Sequence, residues 1–275
     1  MVYSPASGRP CALITGASGG LGLAFAERLA HDGYDLILVA RRMDRLREIA
    51  GRLQQAHGVQ VAVICADLND PAALRRVEGT LAENDAIALL VNSAGFAGYY
   101  PFASVQPTVI DDLIAIHIRA VARTTRAVLP GMISRRHGGI INISGLLALA
   151  TSLPPEPLPP RAVYAGAKAF TLAFTQTLAG ETKGTGVHVQ VCIPGRIQTD
   201  FHEAQGIDTS KQPPAMSAAD VVTASLSALA RNEIVCVPGL ADPAQLDALN
   251  NAQLAVFRTA AMQSICAERY RARPL

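Results

Sequence analysis

A tyrosine and a lysine four positions apart, Tyr164 and Lys168, lie on a stretch of this 275-residue chain that reads as helix from Val163 to Thr182. That spacing puts both side chains on one helical face. A phenol titrates near a pH of about 10, so it exchanges protons poorly at neutrality, and a neighbouring ammonium favours its anionic form. The pair can therefore act on a proton at oxygen. A second constellation, Thr15-Gly16-Ala17-Ser18-Gly19-Gly20-Leu21-Gly22, joins a short apolar run (Pro10 to Thr15) to a helical pattern (Leu21 to His31). Glycines there permit positive φ and close approach of the backbone, and the helix amino end offers N–H groups and partial positive charge to a pyrophosphate.

The second apolar run, Asp35 to Ala40, leads into Arg41-Arg42. A dinucleotide site for NAD carries an acid near this place, which accepts from the ribose 2′-hydroxyl. Two guanidinium groups stand here instead, at a helix start where cations oppose the dipole. Their presence is accounted for by a phosphate, which guanidinium binds in a bidentate fork, and predicts NADP(H) as cofactor. The six histidines are dispersed, and none pairs convincingly with a second ligand at helical spacing, so no metal is expected.

These residues need a scaffold, and the patterning supplies one. Apolar strands at Pro10–Thr15, Asp35–Ala40, Val59–Cys65, Ile87–Val91, Gly139–Ile143 and Val187–Ile193 alternate with helical stretches at Leu21–His31, Arg42–Ala56, after Asp70-Pro71, Gln106–Ser134 and Val163–Thr182. Wholly apolar strands separated by helices indicate βαβ units and a parallel sheet covered on both faces. The expected class is α/β, a Rossmann-like doubly wound parallel sheet in a single domain spanning 1–275, with a helical tail at about 242–275. With half the residues apolar and 17% charged, the chain can bury a large core and is not a disordered one. A net charge of +2 calls for neither nucleic acid nor an anionic membrane. Five scattered cysteines without CxxC spacing fit a reducing cytoplasm. No stretch reads as an export signal or a membrane span.

Taken in order, the motifs resemble the classical short-chain dehydrogenases/reductases, over roughly Pro10 to Pro238. Thr15-Gly16-x-x-x-Gly20-x-Gly22 is similar to that family's cofactor loop, with Ser18 and Leu21 inside it. Asp67-Leu68 resembles its adenine-contacting pair, and Asn92-Ser93-Ala94-Gly95 its Asn-Asn-Ala-Gly. Tyr164-x-x-x-Lys168 looks like its catalytic pair, and Pro194-Gly195 with Thr199 its segment over the nicotinamide. The resemblance implies an NADP(H)-dependent oxidoreductase that interconverts a carbonyl and an alcohol. Tyr164 would exchange the proton at oxygen, and Lys168 would hold the nicotinamide ribose. It also implies a homodimer or homotetramer.

Two positions depart from the family pattern. Asn142-Ile143-Ser144-Gly145 replaces Asn-Ile-Ser-Ser, so glycine falls where the catalytic hydroxyl belongs and Ser144 matches the residue before it. His117 falls where the family has a helix asparagine, and an imidazole can both donate and accept there, for instance to a water linked to Lys168. Losing an oxyanion donor commonly costs about 2.7–4 kcal/mol of transition-state stabilisation. Three readings follow. Ser144, Thr151 or Ser152 replaces the missing donor; the substrate supplies its own polarisation, or the enzyme runs chemistry other than simple carbonyl reduction; or the chain is a catalytically weak NADP(H)-binding sensor or interaction protein. Retention of both Tyr164 and Lys168 favours an enzyme.

Two loops follow carboxyl ends of strands, proline-rich Thr151 to Pro160 and polar Arg196 to Ala215, and are expected to wall a substrate pocket. Together with Phe96, Tyr99 and Phe201 they point to an apolar, bulky small-molecule carbonyl or alcohol. The basic end of the tail, around Arg269-Tyr270-Arg271, is expected on the surface.

Overall fold

The computed structural model describes residues 8–150, 153, 159–199 and 215–271. The expectations for Thr151, Ser152 and Phe201, and for most of the two loops, lie outside the described residues. The chain divides into two compact units, one ending at Pro238 and one running from Gly239 to Leu275.

The first unit is built on seven strands: β1 (Cys11–Thr15), β2 (Asp35–Ala40), β3 (Val61–Cys65), β4 (Ile87–Asn92), β5 (Gly138–Ile143), β6 (Val187–Cys192) and a short strand, Val235–Cys236. They form one sheet in the order β3-β2-β1-β4-β5-β6, with Val235–Cys236 at the β6 edge. Every pairing in it is parallel. The doubly wound parallel sheet expected from the sequence is thus the fold. Its order reverses between β1 and β4, and ligands of such sheets bind at the carboxyl ends beside that reversal.

Side-chain alternation along each strand feeds two cores. Ala12 and Ile14 of β1 join Leu36 and Leu38 of β2 on one face, beneath α1 (Gly20–His31) and α2 (Met43–His57). Cys11 and Leu13 join Ile37 and Leu90 on the other, beneath α3 (Pro71–Glu83). Helix α3 starts as its sequence requires. The Asp70 carboxylate accepts from Ala72 N at 3.0 Å and Ala73 N at 3.1 Å, with Pro71 in the first turn, where it displaces no donor.

The long helix expected at Gln106–Ser134 is interrupted. α4 (Pro107–Ile114) passes through a π turn at Ala115–Arg119 into α5 (Ala120–Arg135). An extra residue per turn shifts which side chains face inward, and such turns recur at functional sites. Here the turn contains buried His117. α6 (Ala162–Glu181) and α7 (Ala218–Ala230) follow, and a two-residue parallel ladder pairs Ile197–Gln198 with Met216–Ser217. In the second unit α8 (Ala244–Ala261) has no buried residue. No helix among the described residues is long and apolar enough to cross a membrane.

Candidate active site

Strand register sets one row across the carboxyl edge of the sheet, with Thr15 opposite Asn92 and Asn92 opposite Asn142. Their polar side chains are buried, so each must find partners. Thr15 Oγ1 accepts from Ser93 N at 3.0 Å and Ala94 N at 3.1 Å, which ties the segment after β4 to the end of β1. Asn92 Nδ2 donates to Asn142 Oδ1 at 2.9 Å, and Thr124 on α5 donates to Asn92 Oδ1 at 2.8 Å. Asn142 Nδ2 donates in turn to Thr175 on α6 at 3.0 Å. The Asn92 side chain therefore works beneath the site, joining β4 and β5 to the helices that carry it. Sequence reasoning missed Thr15 and Asn142 in this capacity. A polar residue at or next to the end of an otherwise apolar strand was the available signal.

The glycine loop lies on the first layer of this frame. Gly16 has φ +71°, and a Cβ there would stand 2.8 Å from Ala94 Cα, so only glycine lets the two loops touch. Helix α1 begins without a side-chain cap at Gly19, leaving its amino-terminal N–H groups to an anion. Arg42 reaches over the loop, donating to Ser18 Oγ at 3.1 Å and Ser18 O at 3.2 Å. Arg41 is mostly exposed, with Asp67 at 4.0 Å, while Leu68 is buried below. Thr199 is brought to Gly20, its Cβ 3.7 Å from where a Gly20 Cβ would be. Leu21 and Gly22 are buried at the start of α1. The loop, the uncapped helix and the two arginines together offer N–H and guanidinium donors of the kind that bind phosphate groups.

Tyr164 and Lys168 stand on α6 beside the ends of β5 and β6, both buried. Lys168 Nζ lies over the Tyr164 ring, 5.3 Å from its centroid, and donates to Ile143 O at 3.4 Å. Burial lowers the Lys168 ammonium to about 8. Burial also raises the Tyr164 phenol above its ordinary value, and nearby Tyr99 adds to the rise. This differs from the expectation that Lys168 lowers the phenol. Desolvation of the phenolate is the largest cause of that rise. Tyr164 is held protonated at neutral pH.

His117 packs edge-on to Tyr164, ring centroids 5.2 Å apart. Its Nε2 lies 2.9 Å from Phe96 O, and since a carbonyl can only accept, Nε2 carries the proton and donates. Burial first, then the charge of Lys168, lowers the imidazole to about 3, so the ring is neutral with a bare Nδ1. A Cβ on Gly95 would fall 2.4 Å from this ring, so Gly95 and His117 fit as a pair.

Ser144 is buried, and its hydroxyl donates to Lys168 O at 2.8 Å. Gly145 is extended, φ 173°, and a Cβ there would meet only Pro194 O, at 3.9 Å. Pro194 O also accepts from Leu146 N at 3.2 Å, pinning the turn after β5 to the segment that carries Gly195. Tyr99 meets Tyr164 edge-on with centroids 5.6 Å apart, and Arg161, one turn ahead of Tyr164, donates to Pro159 O, Ala150 O and Leu153 O. The sequence marks Tyr99 only as an apolar hint, and it does not single out Arg161 at all.

Comparison with known proteins fits this arrangement. Residues 10–209 match the model of the short chain dehydrogenase family. The chain is 35% identical over 208 residues to a very-long-chain 3-oxoacyl-CoA reductase of Anas platyrhynchos, covering 74% of this chain and 64% of the relative. The mouse protein of that name is 32% identical over 198 residues, 70% of this chain and 61% of the relative. The matched region thus spans less than two thirds of either relative. Among solved structures, a short-chain dehydrogenase from Sphingobium yanoikuyae in complex with NADPH has a TM-score of 0.89 at 36% identity, covering 95% of this chain and 100% of that one. The bulky-bulky ketone specific alcohol dehydrogenase from Comamonas testosteroni has a TM-score of 0.85 at 32% identity, covering 95% and 98%. With its glycine loop, its Asn-Ser-Ala-Gly turn and its Tyr–Lys helix placed along one sheet edge, the chain belongs to the short-chain dehydrogenase family.

Proposed function

We propose that the protein is an NADP(H)-dependent oxidoreductase that interconverts a ketone and its secondary alcohol, with Tyr164 as the acid and base. The observation that carries this reading is the buried Tyr164 beside Lys168, at the sheet end that also bears donors of the kind that bind phosphate. The loop 16–22, the bare amino end of α1 and Arg41-Arg42 would hold the dinucleotide, and the 2′-phosphate falls to the arginines. The NADPH in the Sphingobium neighbour supports that choice.

When bound, the nicotinamide supplies or accepts the hydride. Tyr164, kept protonated by burial, gives its proton to the carbonyl oxygen as the carbon is reduced. Lys168 holds the ribose hydroxyls and restores that proton. His117 stays neutral and fixes the Phe96 carbonyl, while its Nδ1 can accept from a water beside Lys168. Ser144 holds the end of β5 to α6. Asp67, Leu68, Ala94, Gly95, Pro194, Gly195 and Thr199 complete the cofactor walls.

The substrate read here is apolar and bulky on both sides of the carbonyl. Gly145 leaves room, and Leu146 and Leu149 are exposed beside it, 45% and 37%. The specificity named for the Comamonas neighbour supports this. We place the protein in the cytoplasm as a homodimer or homotetramer, an assembly supported by the half-buried, stacked Phe170 and Phe174 on α6. The test is NADPH consumption with acetone, propiophenone and benzil. Turnover that favours the two aryl ketones is expected. NADPH binding without turnover of any of the three would overturn the reading in favour of a sensor.

A further inference from the structure

The segment ahead of α6 is short of hydrogen-bond donors. Pro154, Pro155, Pro157, Pro159 and Pro160 have no N–H, so its carbonyls outnumber the amides that could pair with them. The next residue, Arg161, is a donor-only, forked side chain. We infer that Arg161 is a specificity-determining residue: its guanidinium fixes the apolar turn 146–153 against the head of α6, and so sets the wall on which a bulky ketone lies beside Tyr164. This inference rests on the reading of the site as a ketone reductase.

Every acceptor that Arg161 meets is a backbone carbonyl. Its Nη1 donates to Pro159 O at 3.0 Å, and its Nη2 donates to Leu153 O at 3.0 Å and to Ala150 O at 3.4 Å. Leu153 and Pro159 each precede a proline, which disfavours the helical conformation there and leaves their carbonyls in need of an outside donor. One guanidinium thus ties carbonyls from both ends of the proline-rich stretch to the residue that opens α6. Arg161 O in turn accepts from Ala165 N at 2.8 Å, within the helical turn that carries Tyr164.

The turn it holds starts at the site itself. Leu146 N donates to Pro194 O at 3.2 Å, Leu149 N to Leu146 O at 2.9 Å and Leu153 N to Ala150 O at 3.3 Å. One end is therefore fastened beside Gly195 and the other to Arg161. Between them Leu146, Leu149 and Leu153 are exposed, an apolar surface with no polar side chain to orient it. A cation at a helix start opposes the dipole, and only 8% of Arg161 is exposed, so its placement does not serve α6. It serves the spacing between those leucines and Tyr164. A lysine would bring the charge without the planar fork that spans several acceptors.

Arg161→Lys keeps the charge and a long stem but loses the fork. With NADPH and propiophenone, KM is expected to rise about tenfold or more while kcat falls less than about threefold, because apolar binding is lost and the chemistry at Tyr164 is kept. Acetone has no bulky arm to lay on the leucines, and its kcat/KM should change less than about threefold. Leu149→Ala is expected to lower the preference for propiophenone over acetone in the same way, and joining it to Arg161→Lys should lower that preference by less than the product of the two single effects. An unchanged KM, equal losses for both ketones, or effects that simply multiply overturn the inference and leave the reductase reading standing. Arg161→Ala, purified and assayed with guanidinium chloride at millimolar concentration, gives an independent reading. Guanidinium, and not sodium chloride at equal concentration, is expected to restore the low KM, and no restoration overturns the inference. A parent protein that turns over neither ketone removes the reductase reading itself, and the inference with it.

Discussion

The hydroxyl of Ser144 donates to the main-chain carbonyl of Lys168 at 2.8 Å. A hydroxyl has one proton, so this serine links β5 to α6 and sets the height of Lys168. Ser144→Ala is expected to lower stability by about 1–2 kcal/mol and kcat by no more than about tenfold, well short of the 10²–10³ loss for an oxyanion donor. Urea unfolding and steady-state kinetics on the same variant decide it. A loss of several hundredfold at unchanged stability would return Ser144 to the chemistry.

Tyr164→Phe removes the hydroxyl whose proton the proposed mechanism hands to the carbonyl oxygen. The ring still packs against His117 and Tyr99, so the fold and NADPH binding are expected to persist. Ketone reduction should drop by about 10³-fold, within the range for a positioned general acid. The change in NADPH fluorescence on binding, read beside turnover, separates chemistry from binding.

The proposed proton relay also predicts a pH profile. Lys168 titrates near 8 because burial disfavours its charge. Below that value the ammonium is intact and can restore the Tyr164 proton. As pH rises through about 8 the charge is lost, so kcat/KM for ketone reduction should fall on that limb. A plateau extending past the ordinary range of a lysine would show that the amine plays no part.

Residues whose meaning depends on spacing along one element could be read before any coordinates. The glycine loop sits between a strand and a helix, and Tyr164 and Lys168 share a helical face. The six long strands announce themselves by apolar runs. Features made by distant packing were out of reach. Val235–Cys236 is too short to stand out, and its strand exists because Cys236 lies in register with Cys192. The π turn leaves the apolar pattern of Gln106–Ser134 almost unchanged, yet it decides where His117 points. Tyr99 gains its place from the close approach of Gly98 to Tyr164, which no local pattern encodes.

The arginine pair gives a prediction about the cofactor. Arg42 already spans Ser18, and Arg41 stands beside Asp67 with its guanidinium largely in solvent. Arg41→Asp with Arg42→Ala removes both cations and adds an acid able to accept from a ribose hydroxyl. Each charge-assisted hydrogen bond to the 2′-phosphate is worth about 1.5–3 kcal/mol, so the kcat/KM ratio of NADPH to NADH should fall by at least about tenfold. An unchanged ratio would place the 2′-phosphate elsewhere.

His117 makes the fold acid-sensitive in a calculable direction. Folded, it titrates near 3, while an unfolded histidine takes its proton near 6.5. Between those values the unfolded chain binds a proton that the folded chain refuses, so stability contributed at higher pH is lost as pH falls through this window. The slope for one such group is about 1.4 kcal/mol per pH unit. His117→Asn has nothing to protonate there, and its urea midpoint should depend less steeply on pH between about 6 and 4 than that of the parent. Parallel slopes would mean that the ring takes up its proton within the fold, and that burial and the charge of Lys168 do not hold it neutral.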